Sequence, residues 1–91
     1  MKGGNYVEVY IYFVLNDEVL IDELEDNIDE LLGCNGEVTG SGMGIKGGNI
    51  DIEIYDKNFL DILVKELHSL KLPKDTYLVI DGKRKNLFQN N

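Results

Sequence analysis

The chain has 91 residues, of which 43% are hydrophobic, and a formal net charge of −8 at pH 7. This length predicts one domain over residues 1–91, and the hydrophobic share is typical of a globular protein. The negative charge disfavours nucleic acids and anionic membranes as partners, because both attract Lys and Arg. Cys34 is the only cysteine, and the sequence has no apolar run of about twenty residues, so we expect a cytoplasmic protein.

Residues 6–15 alternate between apolar and mixed side chains, which predicts a strand with Tyr10 and Tyr12 on its less apolar face. The next segment, 17–32, predicts a helix that is capped by Asn16 or Asp17 and ends at Gly33. Its apolar stripe is predicted at Leu20, Leu24, Ile28 and Leu31, with Ile21 and Leu32 at the margin.

The second half predicts a wide, flexible glycine-rich connection before an alternating strand at residues 50–55. A helix at about 57–71, capped by Asp56, and a strand at 76–80 follow. Asp81-Gly82 predicts a turn, and Leu87-Phe88 is a candidate for a short fifth strand.

The order β-α-β-β-α-β predicts an α+β, ferredoxin-like sandwich. In it, two helices cover one face of a four-stranded antiparallel sheet, with strands one and three in the centre.

Residues 42–47, Gly-Met-Gly-Ile-Lys-Gly, match the pattern G-x-G-x-x-G of dinucleotide-binding proteins. That site requires a helix directly after the glycines, so that the helix N-terminus meets the pyrophosphate. Here a strand follows, and no Gly-Lys-Ser/Thr of a phosphate loop is present. The pattern therefore favours a hairpin between strands two and three, and we expect no cofactor.

A family resemblance rests on Gly36-Glu37, Gly40, Gly47-Gly48 and the segment Asp-Ile-Glu-Ile-Tyr at 51–55. These residues resemble small, uncharacterised bacterial proteins in which a glycine-rich hairpin leads into such a strand and a second helix. The resemblance covers roughly residues 33–81. It implies the ferredoxin-like fold and no particular activity.

Candidate catalytic residues are few. His68 is the only histidine, and the sequence nominates no nucleophile or orienting group for it. Cys34 follows a predicted helix C-terminus, where the negative dipole end disfavours a thiolate. Too few Cys and His residues are present for a zinc site, and no calcium-loop pattern occurs. We therefore expect neither an enzyme nor a metal site.

Eight acidic residues and no Lys or Arg lie between residues 17 and 32. Like-charged pairs four positions apart cost roughly 1–2 kcal/mol together on a helix. One interpretation is a solvated face that maintains solubility. The other is a binding surface for a basic protein partner, as in an inhibitor or immunity-type protein that occupies the site of a nuclease. The candidate partner-binding residues are Asp22, Glu25, Asp26, Asp29 and Glu30.

The open sheet face is predicted to carry tyrosines that another chain covers, most simply in a homodimer. RNA binding is disfavoured, because Asp51 and Glu53 lie on the same predicted face. An alternative function is a dimeric small-molecule-sensing regulatory module, by analogy with the amino-acid-binding ACT domains of this topology. The candidate interface residues are Tyr10, Tyr12, Tyr55 and Tyr77.

Overall fold

The computed structural model describes residues 7–14, 21–44, 47–70 and 72–88. Within these ranges the fold is α+β, with two helices and a five-stranded antiparallel sheet. The elements in chain order are β1 (Val7–Phe13), α1 (Ile21–Leu32), β2 (Gly36–Met43), β3 (Gly48–Ile54), α2 (Leu60–Leu67), β4 (Tyr77–Ile80) and β5 (Lys83–Asn86).

The strands lie in the order β2-β3-β1-β4-β5, so β1 is the middle strand and β2 and β5 are the edges. The predicted four-stranded sheet is therefore extended by a fifth strand. Its predicted location at Leu87-Phe88 is wrong, because β5 is Lys83–Asn86 and Leu87 packs into the core instead. Asp81 and Gly82 both have positive φ, which gives a tight hairpin turn of two residues and starts the pairing at Lys83.

One layer of apolar side chains joins the sheet to both helices. The inward face of β1 is buried, with Val9 and Ile11 fully so, and β3 contributes Ile50, Ile52 and Ile54. The helix residues of this core are Leu24, Ile28, Leu32, Leu63 and Leu67. All the buried strand residues lie on one sheet face, so both helices cover that face, and no other described element covers the opposite face.

The apolar stripe of α1 differs slightly from the predicted one. Leu32 is fully buried, whereas Leu31 is only partly buried at the edge of the core. The helix thus turns its Leu24–Ile28–Leu32 line toward the sheet. The predicted caps Asn16 and Asp17, and the predicted stripe residue Leu20, lie outside the described residues.

The second helix is shorter than predicted. A 3-10 turn at Lys57–Phe59 precedes α2, and the helix ends at Leu67 rather than near residue 71. The predicted cap residue Asp56 caps this 3-10 turn, because its carboxylate accepts a hydrogen bond of 3.0 Å from the Asn58 backbone N–H, whereas α2 itself begins after Phe59 without a side-chain cap.

The glycine-rich segment is mostly a strand rather than a wide loop. Residues Gly36–Met43 form β2, with a register shift between Val38 and Gly40 that marks a β-bulge. The backbone N–H of Gly44 donates to the carbonyl of Gly47 at 2.7 Å and closes the hairpin to β3. The hairpin interpretation is therefore confirmed, and the predicted width of the connection is wrong. Glycine disfavours strand formation, but pairing with β3 holds this segment in a strand.

Candidate functional site

The solvent side of α1 carries the predicted partner-binding carboxylates. Asp22, Asp26, Asp29 and Glu30 are exposed and Glu25 is partly exposed. These five residues are called the acidic face below. Asp22, Asp26, Asp29 and Glu30 lie on the solvent side of α1, whereas Glu25 lies on its flank, one heptad before the buried Leu32. The structure therefore brings four of the five predicted residues together on the accessible side and leaves Glu25 at its margin.

The acidic face carries two electrostatic costs. Carboxylates four positions apart, such as Asp22 and Asp26, lie about 5–6 Å apart between Cβ atoms and repel each other. Asp29 and Glu30 lie in the last turn, near the negative end of the helix dipole, and that turn contains no basic residue. Such an arrangement destabilises the isolated helix and attracts a cationic surface.

The open sheet face brings three of the four predicted tyrosines together. The rings of Tyr12 and Tyr77 stack with centroids 5.1 Å apart, and Tyr10 lies two residues from Tyr12 on the same face of β1. The guanidinium carbon of Arg84 lies 3.9 Å from the Tyr77 ring centroid, a cation–π contact. The role of Arg84 was not predicted, because the fifth strand was expected at Leu87-Phe88 rather than at Lys83–Asn86.

Tyr55 lies apart from this group. It follows the last residue of β3, whose partner in the sheet is Val7 at the start of β1. Tyr12 pairs with Asn49 near the other end of β3. Tyr55 lies six positions after Asn49 along the chain, which corresponds to about 20 Å of strand. The predicted interface therefore divides into a Tyr10–Tyr12–Tyr77 group and a separate, exposed Tyr55.

A hydrogen bond fixes Tyr10 beside an acidic side chain. The Tyr10 hydroxyl donates to Glu8 Oε1 at 2.8 Å. This bond, together with repulsion between the Glu8 carboxylate and a tyrosinate, raises the pKa of Tyr10 above its ordinary value, with smaller contributions from desolvation, Asp51 and Tyr12. The single Tyr10 O–H is therefore held by Glu8.

Three glutamates form a row across adjacent strands of the open face. Glu8 pairs in register with Glu53, and Glu53 pairs in register with Glu37. This glutamate row makes one end of the face acidic. Its members were visible in the sequence, but their alignment depends on strand register, which the sequence does not reveal. Among the described residues, no group of three or more His, Cys, Asp or Glu side chains could hold a metal ion.

A cleft of about 630 Å³ lies at the end of the sheet beside the β2–β3 hairpin. Its walls include Tyr12, Met43, Gly48, Asn49, Asp75 and Tyr77. This cleft was not predictable from the sequence, because residues from four separate elements line it.

The two reactive side chains considered in the sequence have separate locations. His68 Nε2 lies 2.6 Å from the Leu87 carbonyl oxygen, to which its N–H donates, and its ring lies against Phe88 with centroids 5.5 Å apart. His68 therefore anchors the segment after β5 to the end of α2. Cys34 is an exposed free thiol in the 3-10 turn after α1.

No protein-family model, curated protein or solved structure matches this chain. The resemblance to small bacterial proteins therefore stays a prediction. Neither described helix has the length and apolar character needed to cross a membrane.

Proposed function

We propose that this protein is a non-enzymatic binding module whose acidic face on α1 engages a basic surface of a partner protein, as an inhibitor or immunity-type protein does. The observation that carries the proposal is the acidic face itself: four exposed carboxylates, with Glu25 at their margin, on the solvent side of a helix whose last turn has no base. Repulsion between these carboxylates, and between them and the negative end of the helix dipole, lowers the stability of α1. An arrangement that destabilises the monomer supports a role in binding another protein.

Carboxylates at helical spacing present a row of negative charge to an approaching protein. Such a row imitates nucleic-acid phosphates and speeds the encounter with a basic site by long-range attraction. A partner that itself binds nucleic acid, such as a nuclease, has the complementary surface. The proposed setting is the cytoplasm, where the exposed thiol of Cys34 stays reduced.

The proposed fold is the ferredoxin-like sandwich with one added edge strand. The first four strands and the two helices follow the order β-α-β-β-α-β, and β3 and β1 lie between β2 and β4. In this arrangement α1 lies over the β2–β3 side of the sheet and turns its acidic face to solvent.

The test replaces Asp22 with Asn and both Asp26 and Asp29 with Gln, which removes three charges without touching the core. The protein is first used to capture its partner at low salt, and binding kinetics are then measured with the purified pair. We expect at least tenfold weaker binding, mostly in the association rate, and a smaller difference at about 0.5 M salt, where the screening length is about 4 Å.

The matched control removes three exposed charges elsewhere, by Asp61→Asn, Glu66→Gln and Asp81→Asn. Because both triple variants have the same net charge, the control should bind within about twofold of the wild type if the acidic face is the site. Equal binding by wild type and the α1 variant would make the acidic face a solubilising surface and refute the proposal.

The cleft favours a second candidate function, a small-molecule-sensing module. Its volume of about 630 Å³ falls within the range of ligand sites. Asp75 and Asn49 at its wall suit a ligand with amino or hydroxyl groups, such as an amino acid. A thermal-shift screen with amino acids would show a stabilised protein, and Asp75→Asn would abolish that shift. A screen without any shift rejects this candidate.

A further inference from the structure

The open face of the sheet contains two rows of residues in register across all five strands. Each row is centred on a tyrosine of β1, the middle strand, and runs from the β2 edge to the β5 edge. The first row is Gly40, Asp51, Tyr10, Val79 and Arg84, and the second row is Gly42, Asn49, Tyr12, Tyr77 and Asn86.

The β2 end of both rows has no side chains, because it consists of Gly40 and Gly42, and this strip is called the notch below. A side chain at Gly40 would point toward Asp51 Oδ2, 3.7 Å from its Cβ, and one at Gly42 would point toward Asn49 Oδ1 at 3.1 Å. Neither position has a side chain, so Asp51 and Asn49 form the wall of an empty strip. Asn49 Nδ2 donates to Asp51 Oδ1 at 3.0 Å and orients that carboxylate. Glycine within a strand often marks the close approach of another group.

The β5 end of the rows carries a cation. The Arg84 side chain lies over Tyr77, and its Nε donates to Asn86 Oδ1 at 3.2 Å. Lys83 and Lys85 alternate to the other side of β5, so Arg84 is the basic residue that the described strands place on this face. The notch and Arg84 each lie two strands from β1, about 10 Å on either side.

We infer that a second copy of this chain packs its open face on this one, about a two-fold axis parallel to β1. That rotation exchanges the two edges of the sheet, so each Arg84 lies over the partner's Gly40 and next to the partner's Asp51. A two-fold axis across the strands would instead set β5 on β5 and leave each Arg84 facing its own copy. The complementary charges thus select a single orientation.

The spacing of packed sheets agrees with this arrangement. Aligned sheets pack about 10 Å apart, and the Arg84 side chain, once turned up from its place over Tyr77, spans most of that distance. The central strands then bring Tyr12 against its own copy, with the Tyr77 rings beside them. This contact covers aromatic surface that the isolated monomer leaves half-exposed.

The contact is of modest size. Five strands and about six residues along each of them give a face of roughly 24 Å by 20 Å, or about 1,000 Å² buried in total. This lies at the low end for specific complexes, so we expect a reversible dimer with micromolar affinity. The glutamate row opposes the contact at one end, and Glu8→Gln should therefore tighten the dimer.

The dimer is independent of the proposed function of α1. The helices lie on the other side of the sheet, so the acidic face stays accessible in the dimer. Loss of partner binding in the α1 variant would leave dimerisation unchanged, and loss of dimerisation would leave the acidic face in place. Each proposal can therefore fail alone.

The decisive test is a charge exchange between Arg84→Asp and Asp51→Arg, followed by sedimentation at high micromolar concentration. Each variant alone faces two repulsive pairs in its homodimer and should be monomeric. In a mixture, the heterodimer contains one native pair and one pair in which both charges are reversed, so both contacts are attractive and the mixture should dimerise. The control Lys83→Asp changes the charge of the same strand on its other face and should dimerise like the wild type.

A second variant tests the notch without a charge change. Gly40→Val fills the strip that Arg84 would occupy, and its Cβ would lie at an ordinary contact distance of 3.7 Å from Asp51 Oδ2 in the monomer. We expect a folded protein at least as stable as the wild type toward heat, with at least tenfold weaker dimerisation. A monomeric wild type, a mixture that stays monomeric, or a Gly40→Val variant that dimerises normally would each overturn the inference.

Discussion

The paired substitutions Gly36→Ala and Gly40→Ala test how closely β2 approaches β3. Both glycines lie in β2, and both pair with residues of β3. A Cβ at Gly36 would collide with the backbone carbonyl oxygen of Glu53 and lie 3.3 Å from both Ile54 Cα and Leu32 Cδ2. A Cβ at Gly40 would meet only the Asp51 carboxylate, at an ordinary 3.7 Å.

The two variants should therefore change the free energy of unfolding in opposite directions. The φ of Gly36 is 178°, an extended value that any residue adopts, so the cost of alanine there is steric. Overpacking against a backbone atom costs up to about 3 kcal/mol, and the removal of a strand glycine returns about 0.5–1 kcal/mol. We expect Gly36→Ala to lower the free energy of unfolding by about 2 kcal/mol. Gly40→Ala should raise it by up to about 1 kcal/mol.

Thermal and denaturant unfolding monitored by circular dichroism measure this difference. For a domain of this size, about 2 kcal/mol lowers Tm by roughly 8–16 °C, and the gain at Gly40 raises it by a few degrees. The denaturant slope should stay constant, because the exposed surface is unchanged. Equal Tm values for the two variants would refute the close approach of β2 to β3 at Gly36.

Two further predictions concern single side chains. Thr76 is buried and its hydroxyl has no hydrogen-bond partner in the described part of the chain, so Thr76→Val should add about 1 kcal/mol to stability. A lower Tm for Thr76→Val would reveal a partner for that hydroxyl. The Tyr10–Glu8 hydrogen bond raises the pKa of Tyr10, so its stabilising effect is present below the ordinary tyrosine pKa and is lost as pH rises through the Tyr10 pKa. In an absorbance titration, Glu8→Gln should lower that pKa, and an unchanged value would contradict the assigned cause.

Strands with strict alternation could be predicted from the sequence, because their burial pattern follows directly from period two. In β3 the alternating Ile50, Ile52 and Ile54 are all buried, as the pattern requires. The same holds for the helical stripe of α1, in which Leu24 and Ile28 were correctly placed. Here local periodicity and tertiary packing agree.

Two strands were not correctly located from the sequence, because tertiary pairing overrides their local propensity. β2 contains three glycines, which disfavour a strand, yet it pairs with β3 on both sides of the bulge between Val38 and Gly40. β5 is Lys-Arg-Lys-Asn, without apolar alternation, and it pairs with β4 because the tight turn at Asp81-Gly82 directs it there. An exposed edge strand rich in Lys and Arg also resists unwanted pairing with other sheets.

The candidate surfaces also differ in whether the sequence alone could predict them. The acidic face was predictable, because helical periodicity alone fixes which side of α1 meets solvent. The division of the tyrosines and the alignment of the glutamate row depend on register between strands that are distant in sequence. A one-residue change of register would move each of these side chains to the other face. The proposed contact between Arg84 and the notch of a second copy was beyond prediction for this reason, since it requires the position of two edge strands.

The two proposed surfaces have a joint consequence for binding. If two copies pack through their open faces, both α1 helices lie on the outside of the dimer, pointing away from each other. The dimer then presents two acidic faces, related by the two-fold axis, to its surroundings. A partner that is itself dimeric, or arranged in a repeating array, could engage both and gain effective concentration from the second contact. A weak dimer would in this way strengthen the electrostatic binding of the partner, which each monomer alone binds only modestly. The tyrosine-rich sheet face would then form the dimer, and the acidic face of each α1 helix would bind the partner.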